Sequence, residues 1–232
     1  MSGFFEKIMP NVVAYWDRFT TSCGQTLQMF AIAGVFTFIF GLIFGVILTV
    51  TKRDGIRQNL VIYYIVDIFT NVFRSIPFII FLIPFTRALV GTAIGVKGAV
   101  VPLIFGAVPF FTRQVETALA NVSYGKIEAA RSMGSTTMGL IFRIYLHEAV
   151  PELIRVTTIT AISLIGLTTM AGAVGAGGIG SFAINYGQNL NHQDIVNVCV
   201  VLLLAFVCVL QTLGNFFSKK TTNRELITKG EK

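Results

Sequence analysis

Charge is scarce in this chain. Only 12% of its 232 residues are Asp, Glu, Lys or Arg, while 54% are hydrophobic. A soluble domain carries about 25% charged residues, so a water-facing surface is excluded and a membrane protein is implied. The net charge of +7 does not point to nucleic acid, because Lys and Arg are scattered between apolar runs and form no basic face. Cysteine is scarce as well: Cys23, Cys199 and Cys208 make no disulfide framework, and a thiol in an apolar run behaves as a small hydrophobe. Two histidines leave little for metal or acid–base chemistry. His147-Glu148 opens like a zincin helix, but Pro151 stands where the second histidine would be. His192 and Asp194 read as solvated loop residues. With no P-loop and no nucleophile elbow, no catalytic residue, metal or cofactor is expected; if this protein moves something uphill, the energy comes from elsewhere.

Long apolar runs are what the chain has. About 20 apolar residues cross a bilayer as a helix, and the runs give five spans. Residues 1–20 mix Phe4, Phe5, Ile8 and Trp16 with Glu6, Lys7, Asp17 and Arg18; an amphipathic interfacial segment and a disordered tail both fit. The same early charges argue against a cleavable signal peptide, so the first helix is expected to serve as the membrane signal. Leu27 to Val50 is the first span, with Gly41 and Gly45 spaced for close helix packing. Lys52, Arg53 and Arg57 follow at once, which puts that end inside and the N-terminus outside.

The second span, about Asn59 to Leu89, carries Asp67, Asn71 and Arg74 on one helical face, and Pro77 and Pro84 predict kinks. A mid-bilayer charge costs about 2.5–3.5 kcal/mol, so that face is expected against protein or water near the inner end. Arg87 and Lys97 on the outer side breach the charge rule slightly. The third span, about Ala99 to Ala120, places Arg113 and Glu116 three apart as an ion pair; a proton-relay role for Glu116 is the weaker alternative. From Val156 to Gln193 there is no charge, too long a run for one crossing, so AGAVGAGGIG at 171–180 must break it. GAGGIG matches the dinucleotide-loop pattern formally, but no βαβ unit surrounds it. Ile195 to about Phe217 is the fifth span, and Lys219, Lys220, Arg224 and Lys229 place the C-terminus inside.

The most polar internal stretch is 126–151, KIEAARSMGSTTMGLIFRIYLHEAVP. Lys126 to Met133 predicts a short helix stopped by Gly134, and Ser135-Thr136-Thr137 predicts the cap of a second, Met138 to Leu146. In that second helix Leu140, Ile141, Ile144 and Tyr145 share a stripe, with Arg143 off it. Pro151 belongs in the first turn of the helix after that. An eight-residue helix is not stable alone, so the first must be held by the membrane body, by a partner, or by both. From the residues alone, a docking lever and an ordinary cytoplasmic loop fit equally.

Glu128-Ala129-Ala130, three residues, Gly134, nine residues, then Ile144-x-Leu146 resembles the EAA motif of ATP-binding-cassette importer permeases. One position departs: His147 stands where that family has Pro. FRSIPFIIFLIPFTR at 73–87 and TTMAGAVGAGGIG at 168–180 are similar to segments of the methionine importer permeases, a subgroup with the type I importer fold. The resemblance implies an all-α integral membrane protein of five transmembrane helices in a bacterial inner membrane. Its segments would be an amphipathic 1–20, a permease domain 21–218 with a coupling loop at about 122–150, and a cytoplasmic basic tail 219–232. It implies that Glu128, Ala129, Ala130, Arg131, Met133 and Gly134 engage an ATPase subunit. It further implies two ATPase copies, a second copy of this chain, and an extracytoplasmic methionine-binding protein. Met170, Gly172 and Gly175 are the candidate gate; a flexible apolar side chain among small residues suits a narrow closure, and plain packing suits Met170 as well. An ion-coupled carrier is the competing class, but five spans do not halve and no repeat is visible.

Overall fold

The structure is a computed structural model that describes residues 9–53, 55–75, 86–88, 91 and 95–230, with side chains up to residue 222. Among these residues every regular element is helical. Four helical stretches are long and apolar enough to cross a bilayer: Trp16–Thr51, Gly95–Ala120, Val150–Ala176 and Gln193–Thr222. They coincide with the first, third, fourth and fifth expected spans. Of the second, helix Leu60–Ser75 and residues 86–88 are described, and Pro77 and Pro84 lie outside the described residues.

The residues group into two compact units. One comprises Met1–Phe36, Ile76–Gly106 and Ala161–Val209; the other comprises Thr37–Ser75, Ala107–Thr160 and Leu210–Lys232. In the first unit, α1 (Pro10–Ala14) opens at its proline, where the missing N–H costs nothing. Tyr15 interrupts the chain, and α2 (Trp16–Thr51) follows. Val12 and Phe19 are buried with Phe182, Ile195 and Cys199. The Asn11 backbone N–H and side-chain amide both donate to the Asp194 carboxylate, at 3.0 and 2.9 Å. The N-terminal segment is therefore packed from Met9 onward, and Asp194 is a clasp for it, not the solvated loop residue that its sequence context suggests.

In the second unit the two glycines of α2 do what their spacing predicts. A Cβ on Gly41 would lie 2.6 Å from a Phe111 ring carbon, and one on Gly45 would lie 2.5 Å from a Val115 methyl. Any side chain there would force α2 away from α4 (Gly95–Ala120), which carries Phe111 and Val115. The polar stripe of α3 (Leu60–Ser75) also meets α4. Arg113 Nη1 donates to Glu116 at 2.7 Å, and Nη2 donates to Asn71 at 3.0 Å and to Asp67 as an ion pair. Asn71 in turn donates to Asp67 at 3.1 Å. The expected Arg113–Glu116 pair is present, and it extends across to the neighbouring helix. Arg74, the third member of the stripe, is exposed.

After α4 comes α5 (Tyr124–Ser132), then a helical run made of Thr137–Gly139, a π-helical Leu140–Tyr145 and Leu146–Glu148. α6 (Val150–Ala171) carries Pro151 in its first turn, as required. The chain breaks after it in Gly172–Ala176; α7 (Gly178–Phe182), which continues as a π-helical Ala183–Gln188, and the long α8 (Gln193–Gly230) follow. α8 carries the helix on through Lys219 and Lys220, where the composition alone reads as a tail.

Candidate functional site

The polar segment 124–148 is built on one buried edge. Ile127 and Tyr145 pack into a core with Val115, Leu119, Ala149 and Val156. Leu140 and Ile141 are buried too, so the expected stripe is the inward one, and Arg143 is exposed. Lys126 pairs with Glu148, tying α5 to the helical run that leads into α6. The pair is more than 30% exposed on both sides, and such pairs contribute only about 0–1 kcal/mol. Burial of Ile127 and Tyr145 is the firmer anchor.

α5 ends in a Schellman motif. Ser135 N–H donates to the Ala130 carbonyl at 3.1 Å and Gly134 N–H to Arg131 at 3.0 Å, with Gly134 at φ +80°. Glycine reaches that left-handed conformation without the Cβ penalty of about 1–2 kcal/mol. The next helix starts where the hydroxyl run predicts: the Thr136 side chain accepts from Gly139 N–H at 3.2 Å. His147 sits exposed in the last turn before Ala149, and the chain re-enters helix at Val150 without a proline at 147.

Of the six residues singled out here, Glu128, Ala129, Arg131, Met133 and Gly134 are exposed. Ala130 is 4% exposed and belongs to the inward edge, so of the two alanines only Ala129 faces outward. Met133 is 80% exposed, and Tyr124, Met138 and Phe142 in the same segment are exposed as well. Phe142 is one that pattern reading misses; its signal is that it falls off the buried Leu140–Tyr145 stripe. A cavity of about 270 Å³ opens here, lined by Gly55, Ile56, Tyr124, Glu128, Arg131 and Tyr145 among others. Burial, then the neighbouring Tyr124, pushes the Tyr145 phenol above its ordinary value, so it remains a neutral hydroxyl.

The second candidate group lies at the break after α6. Val174 (φ −100°, ψ 18°) and Gly175 (φ +96°) leave the helical region, as the glycine run predicts. Met170, in the last turn of α6, is 56% exposed. Gly175 is exposed, whereas Gly172 is buried against backbone: a Cβ on it would lie 2.7 Å from Ser181 N and 2.8 Å from the Gly177 carbonyl oxygen. Gly172 is thus a close-packing residue, and Gly175 forms the turn. Two residues that pattern reading misses hold the far side: Gln25 Oε1 accepts from Gly178 N–H and Thr26 Oγ1 from Ile179 N–H, both at 2.8 Å. Their only sequence signal is a pair of polar side chains inside an uncharged run.

Four apolar helices of bilayer length, with a polar helical insertion at 124–148 between the second and third of them, describe a membrane-spanning component. Residues 37–223 match the binding-protein-dependent transport system inner membrane component family, and this chain belongs to that family. It is 40% identical to a probable D-methionine transport system permease protein of Vibrio cholerae, over 92% of this chain and 99% of that one. It is also 40% identical to a methionine import system permease protein of Bacillus subtilis, over 92% and 97%. Among solved structures, an inward-facing MetNI methionine ABC transporter superposes with a TM-score of 0.85 at 42% identity, covering 90% of this chain and 98% of that one. An amino acid ABC transporter at 15% identity and a TM-score of 0.76 shares the fold.

Proposed function

We propose that this chain is the permease of a methionine ABC importer, working as a homodimer with two ATPase subunits and an external methionine-binding protein. The observation that carries the reading is α5 with its cap: a rigid nine-residue helix, anchored by Ile127, that presents Glu128, Arg131 and Met133 outward. Full burial of an exposed side chain such as Met133 or Phe142 on a partner would stabilise a contact by about 1.5–3 kcal/mol. ATP-driven closure of the ATPases moves α5; the spans rock with it and expose a pathway outward at the dimer interface. Such a change needs a two-state element that the ATPase biases. Five spans, with Asn59 to Leu89 as the second, put the N-terminus outside and the C-terminus inside. Lys52, Arg53 and Arg57 after α2, and Lys219 and Lys220 in α8, support that orientation.

Proteoliposomes holding this chain, the ATPase and the binding protein are expected to take up methionine only with ATP. Uptake by this chain alone on an ion gradient would sink the importer reading, and selective uptake of another amino acid would sink methionine as cargo. Met170 is the proposed gate residue, with Gly172 and Gly175 shaping the turn beside it. Met170→Ala is expected to leave assembly intact and raise the ATP hydrolysed per methionine imported. An unchanged ratio would remove Met170 from the gate.

A further inference from the structure

The break after α6 is fastened from outside its own span. α7 begins a helical run that continues as the π-helical Ala183–Gln188, and, as at any helix start, its first N–H groups have no partners within it. Two of them, on Gly178 and Ile179, are taken by Gln25 and Thr26, more than 150 residues earlier in the chain. The fit leaves no slack. A Cβ on Gly177 would lie 2.5 Å from Gln25 Oε1, and one on Gly178 would lie 2.6 Å from Thr26 Oγ1. Both glycines have positive φ, +83° and +79°, which aims their backbone at α2. Thr26 is itself buried, beside the fully buried Met29.

The fastening reaches Met170 through backbone contact. A Cβ on Gly180 would lie 2.1 Å from the Thr169 carbonyl oxygen, so α7 lies directly against the last turn of α6. Thr169 is held in its own helix by a hydroxyl bond to Ile165 at 2.9 Å. Buried Ala171 and Gly172 follow Met170 at once. Moving α7 therefore moves the residues on either side of Met170.

We infer that Gln25 and Thr26 are positioning residues of the gate: by capping α7 they hold the 174–177 turn, and with it Met170, in the arrangement seen here against the other state that gating requires. The inference rests on the gate reading given above. Loss of one net hydrogen bond shifts a two-state ratio about fivefold. Gln25→Met and Thr26→Val keep approximate size and remove the acceptor; Gln25→Glu and Thr26→Ser keep it.

The test uses the whole transporter in proteoliposomes, with ATP hydrolysed per methionine imported as the readout and complex recovery as the folding control. Thr26→Val and Gln25→Met are expected to raise that ratio about fivefold, while Thr26→Ser and Gln25→Glu stay at the parent value. A purely structural role would lower recovery of Thr26→Val and Gln25→Met and leave the ratio of the recovered complex unchanged, which would overturn the inference. Unchanged ratios in the cap variants with a raised ratio in Met170→Ala would also overturn it and leave the gate standing. If neither Met170→Ala nor the cap variants change the ratio, the gate itself falls.

Discussion

Gly134→Pro is expected to strip the ATPase from this chain while leaving the chain in the membrane. Proline fixes φ near −65°, whereas Gly134 sits at +80°, so the native turn becomes inaccessible. The substitution also deletes the N–H that donates to Arg131 at 3.0 Å. It disfavours the preceding residue as well, since Met133 (φ −80°, ψ 10°) lies in the region that a following proline crowds. A nine-residue helix has no stability to spare when its cap is lost. α5 should fray from Met133 backward and its docking surface with it. Gly134→Ala retains the N–H and adds only the left-handed penalty of about 1–2 kcal/mol, so partial retention is expected. Glu128→Arg tests the surface without touching the fold, because Glu128 is exposed. A drop on the order of tenfold in co-purified ATPase corresponds to about 1.4 kcal/mol. Affinity purification of tagged chain from membranes, with the ATPase quantified by immunoblot, decides it. Full recovery of the ATPase with Gly134→Pro would remove α5 from the docking role.

Four of the spans, the break and the caps were legible because each is a local signal. Apolar length marks α2, α4, α6 and α8; glycine at 134 and 175 marks positions of positive φ; Thr136 marks a helix start. The split between Ala129 and Ala130 was not legible. In nine residues with a single strongly apolar member, Ile127, the helical phase is underdetermined, and tertiary packing sets which alanine turns inward. Non-local polar contacts were beyond reach for a different reason. Asn11 with Asp194, and Gln25 with Gly178, join residues separated by 183 and 153 positions, and one hydrogen bond leaves no periodic trace in either partner. The stripe Asp67, Asn71 and Arg74 falls between these cases: its face could be read, its partner could not.

That stripe carries the second large expected effect. Arg113→Leu should destabilise the chain more than the triple change Arg113→Leu, Asp67→Asn, Glu116→Gln. Arg113 is held between two carboxylates, Asp67 on α3 and Glu116 on its own helix, with Asn71 completing the ring. Each of these ion-pair side chains is about four-fifths shielded. Removing the cation leaves two largely shielded anions without it, and breaking a buried pair from one side costs about 3–5 kcal/mol, less here for the residual exposure. Neutralising both acids removes that penalty, so the triple variant should recover most of the loss. Arg113→Lys separates charge from geometry. The guanidinium serves Glu116 through Nη1 and Asp67 and Asn71 through Nη2; a single ammonium cannot span that fork. An intermediate loss is expected for it. Fluorescence-detected size exclusion of heated, detergent-solubilised chain gives the midpoints. A triple variant no more stable than Arg113→Leu would show that packing of α3 on α4, and not charge neutralisation, is what Arg113 contributes.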